Sequence, residues 1–204
     1  MRIKICGLTR VQDVYDAASC GADALGFVLY EPSPRAVTAE QARQLVNAAP
    51  AFVSTVALFV NESAENIRRS LSICPFDLLQ FHGDESPEFC RQFNRPYMKA
   101  IRVRSTEDID SAVQQYPDAK ALLLDAYVEN LPGGTGQAFD WRLIPKLKVP
   151  WVLAGGLNAS NVADAVIQVQ PFAVDVSGGV EASKGIKDVI KIKDFISEVR
   201  NVER

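Results

Sequence analysis

Apolar residues fall in eight short runs, separated by longer stretches in which polar and apolar positions follow a helical pattern. The runs are almost continuously apolar, which is typical of strands covered on both faces. We predict strands at Ile3–Cys6, Ala24–Leu29, Val53–Val60, Phe76–Phe81, Met98–Val103, Ala121–Asp125, Trp151–Ala154 and Ala173–Val176. The stretches that follow them predict helices beginning near Arg10, Thr38, Ser63, Ser86, Thr106, Asp140, Ser160 and Asp188.

Capping signals support several of these helix boundaries. Thr38 precedes Gln41 by three residues, the spacing of a capping box, and Ser63 is followed by an acidic residue in the first turn. Gly21 stands where the first helix gives way to the second strand, as a helix-ending glycine does.

Regular alternation of strands and helices predicts a parallel sheet with right-handed crossovers. Eight strands in 204 residues fit a single α/β domain over residues 1–204, a closed (β/α)8 TIM barrel at the small end of its size range. The main alternative is an open doubly wound sheet, which normally has fewer strands.

Composition places the chain among ordinary globular proteins, with 48% hydrophobic and 23% charged residues. A net charge of −3 and a pI near 5.3 argue against nucleic acid or an anionic membrane as the main partner. Because the sequence has neither a membrane-spanning run nor a signal-peptide pattern, we expect a cytoplasmic protein whose mature chain begins near Met1.

The cysteines and the histidine do not form a metal-binding pattern. The four cysteines are widely spaced without a Cys-x-x-Cys pair, and His82 is the one histidine. We therefore expect neither a metal site nor a disulfide framework. Cys20, Cys74 and Cys90 fall on helical segments and are assigned to packing.

Chemically distinctive residues gather at the predicted C-terminal strand ends, where barrels of this type carry their active sites. Gly155-Gly156 and Gly178-Gly179 follow the last two strands. Glycines let backbone N–H groups approach an anion, and a following helix N-terminus adds a favourable dipole. Tight turns alone would also explain each pair, but both pairs together favour a phosphate site.

Asp125 ends the sixth predicted strand, and Cys6 ends the first. A partly desolvated carboxyl group is suited to donate a proton near neutral pH, although an aspartate here could instead cap the loop. The glycine-rich segment 131–136 follows Asp125 and could fold over the site. A positive neighbour would lower the pKa of the Cys6 thiol and allow it to act as a base. Lys4 lies two residues deeper in the strand and is not expected to provide that charge reliably. The alternative is that Cys6 is a packed core residue.

Arg35 lies in a proline-stiffened loop and could hold a carboxylate, although a solvated arginine is the simpler interpretation of that residue alone. His82 is either a hydrogen-bonding ligand or a residue that orders the Phe81–Gly83 turn.

Six segments run in order from Lys4 to Asp188: "KICGLTR", "GADALGFVLYEPSPRAV", "QFHGDE", "LLLDAYVENLPGGTGQAFDW", "LAGGLN" and "PFAVDVSGGVEASKGIKD". Together they resemble phosphoribosylanthranilate isomerases of tryptophan biosynthesis. The resemblance implies one (β/α)8 barrel that converts N-(5-phosphoribosyl)anthranilate into a carboxyphenylamino-deoxyribulose phosphate. This is an Amadori rearrangement that needs neither metal nor organic cofactor.

By this resemblance Cys6 is the general base, Asp125 the general acid and Arg35 the ligand of the anthranilate carboxylate. The glycine loops would hold the phosphate. The full set of candidate substrate-binding residues is Arg35, His82, Gly155, Gly156, Asp175, Ser177, Gly178 and Gly179. The family often has serine at position 178, so glycine there preserves a backbone contact but not a hydroxyl contact.

Two other functions are considered. A related barrel isomerase of histidine biosynthesis is expected to have a carboxylate on the first strand and a second phosphate site, and Cys6 argues against it. A non-catalytic barrel that binds a phosphorylated metabolite would not need both Cys6 and Asp125. We expect a small phosphorylated substrate and a monomer rather than a homodimer.

Overall fold

The computed structural model describes residues 1–126 and 140–202, and its eight parallel strands close into a barrel in sequence order. The barrel strands are β1 (Arg2–Cys6), β2 (Ala24–Val28), β3 (Ser54–Phe59), β4 (Leu78–Phe81), β5 (Tyr97–Val103), β6 (Ala121–Ala126), β7 (Trp151–Leu153) and β8 (Ala173–Val176). All eight predicted strands are confirmed, with ends displaced by up to two residues.

Seven α-helices are described, and they connect the strands or follow the last one. They are α1 (Val11–Cys20), α2 (Ala39–Asn47), α3 (Ala64–Ile73), α4 (Pro87–Arg91), α5 (Thr106–Gln115), α6 (Val162–Val169) and α7 (Val189–Asn201). The capping box at Thr38 and Gln41 is present, and Ser63 accepts a hydrogen bond from the Asn66 backbone. Gly21 ends α1 in the left-handed conformation.

The prediction of a helix beginning near Asp140 was wrong. That residue caps a single 3₁₀ turn, Trp141–Leu143, after which Ile144 is extended with ψ of 113°. Ile144 precedes Pro145, and a residue before proline is driven out of the helical region. The proline also lacks the N–H that a longer helix would need. The predicted covering segment 131–136 lies outside the described residues.

A short antiparallel hairpin, β9 (Glu181–Ser183) and β10 (Ile186–Lys187), follows β8 and was not predicted. Its strands are only three and two residues long. The chain enters it through a 3₁₀ turn at Gly178–Val180, so the N-terminus of the helix predicted near Asp188 does not follow the glycine pair directly. Helix α7 begins only at Val189.

Packing occurs in two layers, one between the barrel and its helices and one inside the barrel. The inner layer consists of small and medium apolar side chains, Val56, Met98, Ala100, Leu123, Val152, Ala154 and Ala173. Alternate residues of each strand point inward, so the polar residues two positions further along several strands face the barrel mouth. None of the described helices is both long and apolar enough to cross a bilayer.

Candidate active site

A cavity of about 360 Å³ opens at the C-terminal ends of the barrel strands. Residues in the C-terminal ends of β1, β2, β3, β4, β6 and β8 line it, together with residues in the segments that follow β2, β3, β4, β7 and β8. The polar and glycine residues of the lining are Cys6, Tyr30, Ser33, Arg35, Gln80, His82, Asp125, Gly155, Gly156, Asp175, Ser177, Gly178 and Gly179. All ten predicted site residues therefore lie around one cavity.

The Cys6 thiol is buried at the base of the cavity, packed with Val28 and Leu58. Cys6 pairs in register with Gly26 of β2. A Cβ atom at Gly26 would lie 2.8 Å from Cys6 Sγ, so only glycine leaves room for the sulfur in this position. Burial raises the pKa of the Cys6 thiol, while the positive charge of Lys4 acts in the opposite direction.

The structure corrects the expectation that Lys4 does not reliably provide a positive charge to Cys6. The register of β1 with β8 places Lys4 beside Asp175, and Lys4 Nζ lies 2.9 Å from Asp175 Oδ2. Both side chains are buried. Burial disfavours the ammonium form of Lys4, but Asp175 and Cys6 outweigh burial and raise its pKa. Lys4 therefore places a positive charge near the thiol, because its long side chain extends toward the cavity.

Asp125 lies in a buried hydrogen-bonded group with His82 and Gln80. His82 Nε2 is 3.1 Å from Asp125 Oδ2, and Gln80 Nε2 is 3.0 Å from His82 Nδ1. An amide NH₂ group donates, so Nδ1 accepts and Nε2 carries the hydrogen that faces Asp125. The Ala126 backbone N–H donates to Asp125 Oδ1 at 2.8 Å. The carboxylate form of Asp125 is thus met by two donors.

Arg35 is held by a buried carboxylate from the hairpin. Arg35 Nε donates to Glu181 Oε1 at 2.7 Å, and Nη2 donates to Oε2 at 2.8 Å. Glu181 also accepts from Lys187 Nζ at 2.9 Å. Burial opposes ionisation of Glu181, yet these two cations outweigh burial and lower its pKa. The bidentate pair fixes the plane of the guanidinium and leaves the Nη1 group outside the pair.

The glycines of the last two loops satisfy different steric requirements. Gly155 and Gly156 have φ of +81° and +67°, a region that favours glycine. A Cβ at Gly179 would lie 1.9 Å from the Leu157 carbonyl oxygen, so the loops after β7 and β8 touch at this point. At Gly178 the nearest atom to a Cβ is Arg35 Nη2 at 3.4 Å. Position 178 therefore has room for the Cβ of a small side chain such as serine.

The sequence analysis set Lys4 aside and missed three further functional candidates, Gln80, Glu181 and Lys187. Lys4 and Gln80 occupy inward positions of apolar strands, two residues before Cys6 and His82. That spacing is a usable signal, because a polar residue facing a barrel interior needs a partner or a function. Glu181 and Lys187 gave no comparable signal, since the hairpin that carries them was not predicted.

Comparisons with known proteins point to a single family. A family model described as "N-(5'phosphoribosyl)anthranilate (PRA) isomerase" matches residues 3–198. The N-(5'-phosphoribosyl)anthranilate isomerase of Pseudomonas fluorescens (strain Pf0-1) is 57% identical over 201 residues, covering 98% of each chain.

Solved structures with the same name have the same fold. The crystal structure of phosphoribosyl anthranilate isomerase from Thermotoga maritima superposes with a TM-score of 0.89 at 38% identity, covering 98% of this chain and 99% of that one. A phosphoribosyl anthranilate isomerase in complex with reduced 1-(o-carboxyphenylamino)-1-deoxyribulose 5-phosphate gives 0.85 at 37% identity, with the same coverage. The fold, the matched family model and the high identity over nearly the whole chain show that this chain belongs to the N-(5'-phosphoribosyl)anthranilate isomerase family.

Proposed function

We propose that the chain converts N-(5'-phosphoribosyl)anthranilate into 1-(2-carboxyphenylamino)-1-deoxyribulose 5-phosphate, a step of tryptophan biosynthesis, with Cys6 as general base and Asp125 as general acid. The observation that carries the proposal is the cavity, which is lined by a thiol and a carboxyl group from well-separated strands and by two glycine loops and an arginine. Each of these groups matches one part of the substrate.

Asp125 acts first in the proposed mechanism. It donates a proton to the ring oxygen of the ribose as the bond from C1 to that oxygen breaks, and the anthranilate nitrogen lone pair forms the C1=N bond. The carboxylate left behind is stabilised by the hydrogen bonds from His82 and from the Ala126 backbone. In this role His82 positions and stabilises the acid.

Cys6 acts second. The positively charged imine makes the C2 proton acidic, and the Cys6 thiolate removes it to give an enolamine. The electron pair of the C2–H bond forms C1=C2, and the electrons of the C1=N double bond return to nitrogen as a lone pair. Transfer of a proton to C1 and loss of the O2 hydroxyl proton then give the ketone. No atom is gained or lost overall: Asp125 gives a proton to the ring oxygen and Cys6 takes one from C2, and the later transfers, from Cys6 to C1 and from O2 to Asp125, restore both side chains. The proposal therefore involves neither a metal nor an organic cofactor.

Substrate binding is assigned to the remaining groups of the cavity. The two glycine loops present backbone N–H groups to the phosphate, with Ser177 beside them. Arg35 holds the anthranilate carboxylate through the part of the guanidinium that Glu181 does not use. Asp175 Oδ1 is buried, lacks a hydrogen-bond partner among the described residues and lines the cavity, which supports contact with a substrate hydroxyl group.

The wider proposal treats residues 1–204 as one barrel domain that acts as a cytoplasmic monomer. The barrel closes within one chain and its own strand ends and loops form the cavity, which supports a site that needs no second copy. All four cysteines are unpaired thiols, which fits a reducing compartment. Light scattering coupled to size exclusion at assay concentration tests the monomer, and a mass of two chains would contradict it.

Two variants test the assignment of base and acid. Cys6→Ser replaces the thiol by a hydroxyl too weakly acidic to act as base, and Asp125→Asn removes the proton donor. General acid–base groups contribute about 10²- to 10⁴-fold, so we expect losses of turnover of that size, measured by the fluorescence of the anthranilate substrate. Binding of the reduced product, measured by calorimetry, is expected to change little.

Cys20→Ser is the matched control, because Cys20 lies at the end of α1, outside the cavity. We expect it to turn over like the unmodified chain. If Cys6→Ser also retains full turnover, the proposed mechanism is wrong.

A further inference from the structure

Lys4, Asp175 and Cys6 form a buried array at the base of the cavity. Lys4 and Cys6 are two residues apart on β1 and so point to the same side of the strand, into the barrel. The parallel register pairs Lys4 with Asp175 of β8, and their side chains meet at 2.9 Å. A buried lysine is uncommon unless it is paired, and here the partner is one carboxylate oxygen.

Gly26 shows that Lys4 extends toward the sulfur. A Cβ at Gly26 would lie 2.8 Å from Cys6 Sγ and 3.1 Å from Lys4 Cε. The sulfur and the last carbon of the lysine chain therefore border the same small space, beside the backbone of β2. Since Nζ is bonded to Cε, the ammonium group and the sulfur are close neighbours within the barrel.

We propose that Lys4 is a positioning residue for the reaction, holding an ammonium group beside Cys6 so that the thiolate forms in a buried site, and that Asp175 fixes the orientation of Lys4. This inference rests on the proposed role of Cys6 as the base. It assigns Lys4 no contact with substrate and no covalent step.

The electrostatic balance around the thiol supports this role. The charged groups that face Cys6 are Lys4 on its own strand, Asp175 on β8, Lys187 on β10 and Arg35 in the loop after β2. Burial raises the pKa of Cys6, and Lys4 is the strongest influence that lowers it; Lys187 acts in the same direction, and Asp175 acts against both. A thiolate in this site thus depends on a nearby cation, because an uncompensated buried charge is costly.

Lys4 and Asp175 carry opposite charges, so removing each of them is expected to shift the reactivity of Cys6 in opposite directions. Lys4 and Asp175 acting only as structural residues would not produce this pattern. Lys4→Met removes the cation, and Asp175→Asn removes the anion while its amide oxygen still accepts a hydrogen bond from Lys4. The probe is the rate at which iodoacetamide alkylates Cys6 across a pH series, followed on the Cys6 peptide by mass spectrometry. The series is run in a Cys20→Ser background, because Cys20 is the most exposed of the four thiols.

We expect Lys4→Met to move the midpoint of Cys6 alkylation upward by about one to three pH units, which slows alkylation at least about tenfold below the midpoint. Asp175→Asn is expected to move the midpoint downward. Lys4→Arg keeps a cation at position 4, so its midpoint is expected to lie closer to that of the unmodified chain than the midpoint of Lys4→Met does. The rising limb of kcat/KM against pH is expected to follow the alkylation midpoint in each variant.

Lys99→Met is the matched control for the loss of a buried lysine, since Lys99 pairs with buried Glu85 and lies outside this cavity. We expect it to leave the Cys6 midpoint unchanged. The proposal is overturned if Lys4→Met behaves like Lys99→Met, or if Lys4→Met and Asp175→Asn move the midpoint in the same direction. If Lys4→Met does not fold, an unshifted midpoint in Asp175→Asn overturns it instead.

Failure of the proposed function gives a different result. In that case the alkylation midpoint still responds to Lys4 and Asp175, but Cys6→Ser retains turnover and kcat/KM does not follow the midpoint.

Discussion

At the residue scale, the site consists of buried charges that are each held by a specific partner. Arg35 illustrates this, because the Glu181 carboxylate occupies one edge of its guanidinium. The Cδ of Arg35 also passes 2.5 Å from the position of a Cβ at Gly7, whose φ is +76°. A side chain at position 7 would therefore displace the arginine. The guanidinium is fixed before substrate arrives, which reduces the entropy lost on binding.

Arg35→Ala is expected to weaken substrate binding much more than catalysis. Losing a charge-assisted hydrogen bond to the anthranilate carboxylate costs about 1.5–3 kcal/mol, which corresponds to a rise in KM of about 10- to 150-fold with little change in kcat. Steady-state kinetics gives both constants. A substrate analogue without the carboxylate is expected to bind the variant and the unmodified chain equally well.

Arg102→Ala is the control for this prediction, because Arg102 pairs with Asp84 in a different groove. It is expected to leave KM unchanged. If Arg35→Ala still prefers the ligand with the carboxylate as strongly as the unmodified chain does, Arg35 does not hold that group.

Sequence could place Cys6 and Asp125 at the cavity, because each lies at or next to the end of an apolar strand, where this fold carries its active sites. It could not identify the pairing of Lys4 with Asp175, since these residues are 171 positions apart and only the register of β1 with β8 brings them together. The expectation that Lys4 lies too deep was based on the position of its backbone along the strand. The long, flexible side chain instead brings the ammonium group close to Cys6.

At the element scale, the site depends on how the connecting loops touch one another. The loop after β8 meets the loop after β7 where Gly179 lies against the Leu157 carbonyl. The strands and most helix starts could be predicted, because apolar runs and caps are local signals. The hairpin β9–β10 could not, since its two short strands carry no alternating pattern.

Gly179→Ala is expected to separate these two loops and weaken phosphate binding. A Cβ 1.9 Å from a backbone oxygen cannot be accommodated without moving the backbone, and the N–H groups proposed to bind phosphate move with it. We expect at least about tenfold weaker binding of inorganic phosphate, since one charge-assisted hydrogen bond contributes at least about 1.5 kcal/mol. Isothermal titration calorimetry measures this change.

Gly178→Ser is the paired variant, because the Cβ at position 178 meets only the end of the Arg35 side chain, at 3.4 Å. It retains the backbone N–H and adds a hydroxyl donor, so phosphate is expected to bind at least as tightly as before. Equal affinities for Gly179→Ala and the unmodified chain would contradict the loop assignment.

At the scale of the whole molecule, the cavity exists only when the barrel is closed. Cys6 and Arg35 lie near the start of the chain, whereas the loop after β8 lies near its end, and the pairing of β1 with β8 joins them. Thr9 Oγ1 donates to the Gly185 carbonyl at 2.5 Å, and Arg200 Nη1 donates to the Met1 carbonyl at 2.6 Å. The first contact lies at the C-terminal ends of the barrel strands and the second at their N-terminal ends, and both join the start of the chain to its last elements. A ligand that binds the cavity therefore favours the closed, folded barrel.

This linkage predicts that inorganic phosphate raises the thermal unfolding temperature. A ligand that binds only the folded chain stabilises it by about 2.7 kcal/mol at 100 times its Kd. For a chain of 204 residues, a change of 1 kcal/mol shifts Tm by about 2–4 °C, so we expect a rise of roughly 5–11 °C. Differential scanning calorimetry over a phosphate series tests this, with sodium chloride matched for ionic strength.

Phosphate also stabilises proteins without binding a site, through exclusion from their surface, and that effect acts equally on Gly179→Ala. The difference in Tm rise between the two chains therefore isolates the site, and equal rises would show that phosphate does not bind at the loops after β7 and β8.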